Sequence, residues 1–478
     1  MIKRILLGVV GLLAVVTAVL VVRTLRFASR QDRGVQHVAV PVDSAAALER
    51  FAGALRFETV SYQERSRTDS VAFRSLHSYL AETYPLVHSS LSRETVAALS
   101  LLYRWEGRDP DARPVLLMGH LDVVPVIPGT EGDWTHPPFA GEIVDGYVWG
   151  RGALDDKSTV ISILEAVESL VANGYQPDRT VYLAFGHDEE VGGFDGARRI
   201  SEVLAERGVD DFAFVLDEGG FITQGMMPGV RQPIALIGIA EKGYVSLRLT
   251  VQGSGGHSSM PPAHTNVGIL SEAITRLEAH PFPARIDGAT RSMFEYLGPE
   301  MGSGRRFIFA NRWLFGPLVR SVMVKGSESA AMVRTTTAAT MFNAGVKDNV
   351  LPITATAVVN FRILSGETVE SVIERVKEII DDDRIRIERV NDFGVEPSPV
   401  SDPNSPAFRL IARTIRQVIR LDDLIVTPYL VVGGTDAKYY ATMSRQVFRF
   451  LPVYLEPDDV TRVHGTDERV ALQSFTNS

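Results

Sequence analysis

Short runs of purely apolar residues punctuate the first half of this chain, and each ends on residues that carry chemistry. Val115 to Met118, Val181 to Phe185 and Phe212 to Leu216 have the pattern of strands buried on both faces. They lead respectively to His120, to Glu189 with Glu190, and to Asp217. Between the first two, Val160, Ile163, Leu164, Val167, Leu170 and Val171 recur at helical spacing, with Glu165 and Glu168 off that face. Strands alternating with helices predict an α/β fold whose central sheet is mostly parallel and covered on both sides. In such sheets ligands bind at the carboxyl ends of strands, where these His and acidic residues fall.

The pattern changes after Glu241. Strands are predicted at Tyr244–Val251, Arg334–Phe342, Thr354–Ile363 and Arg384–Val390, with helices at Val267–Leu277 and Val369–Ile380. This is a smaller α+β unit, residues 241–395, inserted into a catalytic domain made of 43–240 and 396–478. The closing part holds a helix at Ala407–Ile419 and a strand near Val447–Leu455. Pro281 to Val333, rich in Phe, Trp, Gly and Arg, follows no single period.

The first 26 residues form a third pattern. Ile5 to Val22 carries no charge and is flanked by Lys3, Arg4, Arg23 and Arg26. At about 1.5 Å per residue that run just spans a bilayer core. Its length favours an uncleaved, single-pass anchor, with the body outside the cytoplasm. The alternative is a cleaved signal processed near Val16-Thr17-Ala18, giving a secreted protein. Residues 27–42 read as a polar linker. The 478-residue length fits two folded domains. With no cysteine, disulfides, thiolate metal ligands and thiol catalysis are excluded. A net charge of −9 without a basic stripe argues against nucleic-acid binding.

The chemistry gathers in four places. In Gly119-His120-Leu121-Asp122, residues i and i+2 of an extended segment face the same way, so Asp122 can orient His120. Gly150-Arg151-Gly152-Ala153-Leu154-Asp155-Asp156-Lys157 places two acids where one can cap the following helix and the other can ligate. Asp188-Glu189-Glu190 follows a strand directly, and three adjacent acids repel unless a cation or hydrogen bonds compensate. Glu190 and Glu189 then face opposite sides, one toward metal and one toward the reacting water. Asp217 and a late Arg462-Val463-His464-Gly465 complete the set. Two imidazoles and three or four carboxylates suit a pair of zinc ions.

Together these stretches resemble the zinc aminoacylase and carboxypeptidase family of metallopeptidases. The branch they resemble is that of carboxypeptidase S and the N-fatty-acyl-amino-acid synthase/hydrolase. The likeness spans about Ala46 to Leu472 and includes Val215-Leu216-Asp217-Glu218-Gly219-Gly220, Gly256-His257-Ser258-Ser259-Met260-Pro261-Pro262, Asn349-Val350-Leu351-Pro352 and Asn360-Phe361-Arg362. The resemblance implies that His120 and Asp217 bind one zinc and Glu190 and His464 the other. It makes Asp155 the bridge, with a cis peptide to Asp156. It makes Glu189 the general base and then acid, and Asp122 the residue that orients His120. His257, on the lid, is expected to reach a neighbouring subunit's site and stabilise the oxyanion, which implies a homodimer through the lid. Asn349, Arg362 and the backbone near Gly434 would hold the substrate carboxylate. Ser158 stands where the family often has Gly, and a final helix is expected to be shortened or missing.

The expected activity, of a two-zinc amidohydrolase, is hydrolysis, and in reverse synthesis, of the amide of N-acyl amino acids, N-fatty-acyl ones foremost. Phe307-Ile308-Phe309 to Trp313-Leu314-Phe315 is the candidate acyl channel. The alternatives are a carboxypeptidase or dipeptidase of the carboxypeptidase S type and, from another class, a non-catalytic, metal-stabilised membrane-tethered binding protein.

Overall fold

A computed structural model describes residues 1–39, 42–421 and 423–476. Residues 40–41, 422 and 477–478, parts of the predicted linker and closing segment, lie outside the described residues.

The apolar runs form the middle of the main sheet. Val115–His120 lies between Val181–Gly186 and Phe214–Asp217 and runs parallel to both. Val447–Arg449 continues the parallel set beside Phe214–Asp217, and Ile234–Glu241 follows it antiparallel. Ser92–Val96 and Ser100–Trp105 close one side as an antiparallel pair. The sheet is therefore mixed at its edges and parallel where the chemistry sits. The predicted closing strand divides into Val447–Arg449 and Tyr454–Leu455. Pro452 between them supplies no N–H for a continuous ladder.

The helix Lys157–Ala172 buries Val160, Ile161, Leu164 and Val167. It packs on the Val115–His120 strand and against Ser44–Leu55, whose N-terminus is capped by the Asp43 side chain. The lid sheet has Thr354–Ile363 and Gly243–Gln252 at its centre, with Thr336–Ala344 and Ile385–Val395 at its edges. Its helices Asn266–Ala279 and Val369–Ile380 cover one face, the second starting from a Thr368 capping box.

Residues 281–333, for which no period was legible, fold as helices Gly288–Leu297, Ser303–Ala310, Arg312–Met323 and Ser327–Ala331. Met293, Phe294 and Leu297 pack with Ile234, Leu236 and Ile425, so this segment joins the core of the large sheet.

The apolar N-terminal run is one helix, Ile2–Arg26, long and apolar enough to cross a membrane and with no buried residue. The stretch after it is docked rather than free. Arg30 pairs with Glu295 at 3.2 Å and Arg33 with Glu300 at 2.6 Å. The Gln31 amide donates to Val426 O and its carbonyl oxygen accepts from Val426 N–H. The Val38 N–H donates to Gln417 O. A short helix, Leu472–Thr476, ends the described chain, and its Phe475 stacks on Phe51 with centroids 4.4 Å apart.

Candidate active site

His120 ends its strand fully buried. Its Nδ1–H donates to the main-chain oxygen of Asp122 at 2.9 Å, with the Asp122 carboxylate 3.4 Å away. This fixes the ring and frees Nε2 for a ligand. Nε2 faces Asp155 Oδ1 at 2.9 Å, while Asp155 Oδ2 lies 3.0 Å from His464 Nε2. His464 Nε2 is also 3.1 Å from Glu190 Oε2. Two imidazoles thus approach the two oxygens of one carboxylate, the disposition a bridging ligand requires. The donors fall into two groups sharing Asp155: His120, Asp155 and Glu218, and Asp155, Glu190 and His464, each with ligand atoms within 4.8 Å of one another.

Glu218, rather than Asp217, completes the first group. Asp217 is the last residue of its strand, and its carboxylate is buried on the other side, accepting the Ala437 N–H at 2.8 Å. Successive residues of extended chain face opposite ways, so a one-residue step exchanges the two roles. The adjacent acids Asp155 and Asp156 also divide the work, across a cis peptide. Asp155 stands in the cluster. Asp156 takes the N-cap position of the Lys157–Ala172 helix and accepts from His120 N–H at 3.2 Å and from the Thr159 hydroxyl.

Asp122 does more than face His120. Its carboxylate accepts the Glu189 and Glu190 N–H groups, each at 3.1 Å, and the Ser61 hydroxyl at 2.7 Å. One side chain therefore positions three functional residues. Burial is the largest influence and opposes its charge, but His120, the Ser61 hydroxyl and the Glu190 N–H together hold Asp122 below the usual carboxylate range.

The surrounding acids are pushed the other way. Burial first, then Asp155, raises Glu190 to about 7 and Glu218 well above the ordinary range. Burial and then Asp436 raise Glu189. Among the described residues, the buried Glu190 Oε1 has no hydrogen-bond partner. Crowded buried carboxylates facing two imidazoles, with an acceptor oxygen left over, form a donor set that a divalent cation balances. The residues present fit such an ion.

Two further residues join the loops that carry the donors. Glu468, 0% exposed, accepts from the Leu154 N–H at 2.8 Å and the Asp155 N–H at 3.1 Å. Arg151 donates to Glu468 at 2.6 Å, to His464 O at 3.2 Å and to Gly465 O at 2.8 Å. His464 itself holds a left-handed φ of 62°, a conformation a non-glycine residue keeps only when its surroundings enforce it. Arg151 stood inside the Gly150–Lys157 motif, whereas nothing local to Glu468 distinguished it from a surface acid.

Two cavities reach the cluster. The larger, about 1330 Å³, is lined by Asp155, Glu189, Glu190 and His464 and by Arg362, Lys438 and Gly434. Arg362 lies over the Tyr244 ring, 5.0 Å from its centroid. The smaller, about 690 Å³, starts at Asp155 and Glu218 and is otherwise largely apolar. The segment expected as an acyl channel lines neither. Phe309 stacks on Phe294 at 4.7 Å, while Trp313 and Leu314 are exposed on the outside of their helix, so that stretch is outer packing. His257 and Asn349 also line neither cavity. They sit together at the exposed tip of the lid, where His257 pairs with Val350 and the Ser258 N–H donates to Asn349 O at 3.2 Å. Within one chain, then, His120, Asp155, Glu189, Glu190, Glu218, Arg362, Gly434 and His464 come together, and His257 and Asn349 do not.

The profile of Peptidase family M20/M25/M40 matches residues 116–478. The chain belongs to that family. Like other M20 proteins it is an enzyme, and membership implies a divalent metal, for which the two donor groups are suited. The non-catalytic alternative has no support. The chain is 40% identical to a probable carboxypeptidase S-like protein of Dictyostelium discoideum over 97% of its length and 90% of the relative's. It is also 40% identical to the N-fatty-acyl-amino acid synthase/hydrolase PM20D1 of Mus musculus, over 94% of this chain and 89% of that protein. Carboxypeptidase S of Saccharomyces cerevisiae is 34% identical over 90% and 82%. Among solved structures, an M20 metallo-carboxypeptidase of Sulfolobus solfataricus superposes with a TM-score of 0.64 at 18% identity, covering 90% of this chain and 96% of that one. The M20 fold is thereby shared, with the mixed sheet and the smaller lid sheet described above.

Proposed function

We propose that this M20 enzyme is a two-zinc amidohydrolase that cleaves, and in reverse forms, the amide of N-acyl amino acids, N-fatty-acyl substrates foremost. The observation that carries the reading is Asp155 held between His120 and His464 in a cavity that also presents Glu189 and Arg362. When bound, a pair of divalent ions at the two donor groups would lower the pKa of water and polarise an amide carbonyl. Glu189, at the rim of the cluster, takes the proton from the attacking water and delivers it to the leaving amine nitrogen. The planar fork of Arg362 grips the substrate carboxylate, helped by the backbone at Gly434.

His257 and Asn349 act in this reading from the lid of a second copy, His257 on the oxyanion and Asn349 on the carboxylate. Their joint position at an exposed tip supports that arrangement, as does the exposed edge strand Thr336–Ala344 with Met341 and Phe342 open on the lid surface. The Ile2–Arg26 helix serves as a membrane anchor. The helix Ser303–Ala310 packs against it and Asn311 donates to Thr24; the helix that follows, Arg312–Met323, leaves Trp313, Leu314, Leu318 and Val322 exposed, an apolar row suited to the same bilayer.

A second reading, carboxypeptidase or dipeptidase, is favoured by the equal identity to the carboxypeptidase S-like relative. Zinc-loaded protein assayed on oleoyl-phenylalanine and on a blocked dipeptide separates the two. Faster turnover of oleoyl-phenylalanine is expected; turnover of the dipeptide alone rejects the acyl-amino-acid reading. Loss of activity on chelation, restored by zinc, tests the metal requirement.

A further inference from the structure

The two cavities differ in chemistry yet meet at the same three residues, Asp155, Glu218 and Gly219. An amide has two sides, and each cavity suits one of them. The larger holds Arg362 and Lys438, cations that match a free carboxylate on the amine side. Among the described residues, no Lys, Arg or His lines the smaller cavity. Beyond the cluster its walls are carried by Phe221, Met227, Leu236, Met332, Val432 and Leu451. It runs outward to Ser327 and Glu328, exposed at the start of the short Ser327–Ala331 helix.

We propose that this smaller cavity is the acyl-chain site, taking an unbranched hydrocarbon tail from the scissile carbonyl near Asp155 and Glu218 toward Ser327 at the start of the Ser327–Ala331 helix. The assignment rests on the acyl-amino-acid reading above and adds to it the residues that select the tail. A carboxylate head is disfavoured there, because among the described residues the charged groups in the wall are the acids Asp155 and Glu218 at the inner end and Glu328 at the outer, and Tyr429 adds only a neutral phenol. A peptide in the same place would bring a further amide or amine into a wall that is mainly hydrocarbon, at the cost of unpaired polar groups. A saturated chain brings none. Methionine walls adapt to chains of different length because the thioether side chain is unbranched and flexible.

Burying each methylene is worth a factor of about four in binding. kcat/KM on a series of N-acyl-phenylalanines from acetyl to octadecanoyl should therefore climb by roughly that factor per methylene until the cavity is filled. The test uses the full zinc-loaded chain and two variants. Met227→Trp narrows the middle of the cavity and should lower the ratio of kcat/KM for hexadecanoyl over acetyl substrate at least tenfold. Ser327→Trp, at the exposed start of the Ser327–Ala331 helix, should lower the octadecanoyl-to-acetyl ratio while leaving the octanoyl-to-acetyl ratio as in the parent. A ratio cancels any loss of folded protein. Arg362→Ala should depress every chain length alike and keep the ratios unchanged. A flat chain-length series, or ratios unmoved by both tryptophans, overturns the tail site while turnover of the acetyl substrate upholds the amidohydrolase reading. If no N-acyl amino acid is cut but blocked dipeptides are, that underlying reading fails and the tail site with it.

Discussion

The carboxylate of Glu468 and the guanidinium of Arg151 lie 2.6 Å apart, each side chain about 1% exposed. Their other hydrogen bonds go to different loops, Glu468 holding the backbone before and at Asp155 and Arg151 holding the carbonyls of His464 and Gly465. The pair thus ties the loop of Asp155 to that of His464, more than 300 residues away in the chain.

Removing one partner of a buried ion pair leaves the other charge unsatisfied, at a cost of about 3–5 kcal/mol. Glu468→Gln should lose stability of that order in urea unfolding. Its bound zinc, measured by elemental analysis, should fall together with activity. A variant with full zinc content and parental activity would show that the pair does not position the ligands.

Glu189→Gln keeps shape and removes the base. Turnover should fall by about 10²–10⁴, with two zinc ions still bound per chain. Retention of more than a tenth of the parental kcat would remove Glu189 from the proton-transfer role.

Glu218 and Asp217 are adjacent, and only one of them stands with the metal donors. Glu218→Ala should lower zinc stoichiometry toward one per chain. Asp217→Asn should keep both ions and lower stability instead, since it alters the acceptor for the Ala437 N–H. The opposite outcome in elemental analysis would restore Asp217 as the ligand.

Arg362→Lys retains charge but not the planar fork. KM for free-carboxylate substrates should rise about tenfold or more, in keeping with the ~1.5–3 kcal/mol of a charged hydrogen bond, with kcat changed less. The corresponding amide-capped substrates should show little difference between variant and parent.

His77, buried with its Nε2 3.0 Å from Leu99 O, is held neutral: burial lowers its pKa to about 4 against the opposing pull of that carbonyl. Unfolded, it titrates near its ordinary value of about 6.5. Between these values the unfolded chain binds a proton that the folded chain refuses, so stability is fully present above about 6.5 and drains away as pH falls toward 4. Tm should drop across that window, and less steeply in His77→Gln. Parallel Tm-against-pH lines for the two proteins would exclude the His77 contribution.

The sequence was most readable where burial is complete. Val115–His120 and Val181–Gly186 are apolar on both faces, and both strands and the residues they deliver lie where the pattern put them. Ile425–Val431 was not legible because Pro428 interrupts it; it pairs on one side only, with Ile234–Glu241, an edge position that tolerates proline. The helices of residues 288–331 are short, and Pro317 lies inside one of them, which blurs any periodicity. Ile385–Val395 extends beyond its predicted end through Asn391 and Asp392, both at positive φ, where the ladder with Gly243–Gln252 shifts register. At the site, residue type and order identified the clusters, but not which of Asp217 and Glu218 faces inward. That depends on where the strand ends, a one-residue question that composition does not address. Glu468 was invisible because its importance comes from the two loops it joins.

The meeting of two cavities at Asp155 and Glu218 has a consequence for how this enzyme can change. Tyr244, Ser246, Arg362 and Phe393 bring the lid into the walls around the charged head of a substrate, whereas among the described residues the smaller cavity is walled by the large sheet, its connecting loops and the segment packed on it, with no residue of the lid sheet. Swinging the lid would reshape the first compartment and leave the second as it is. Head and tail are therefore measured by separate rulers, and substitutions along one can retune tail length while the other keeps its hold on the carboxylate.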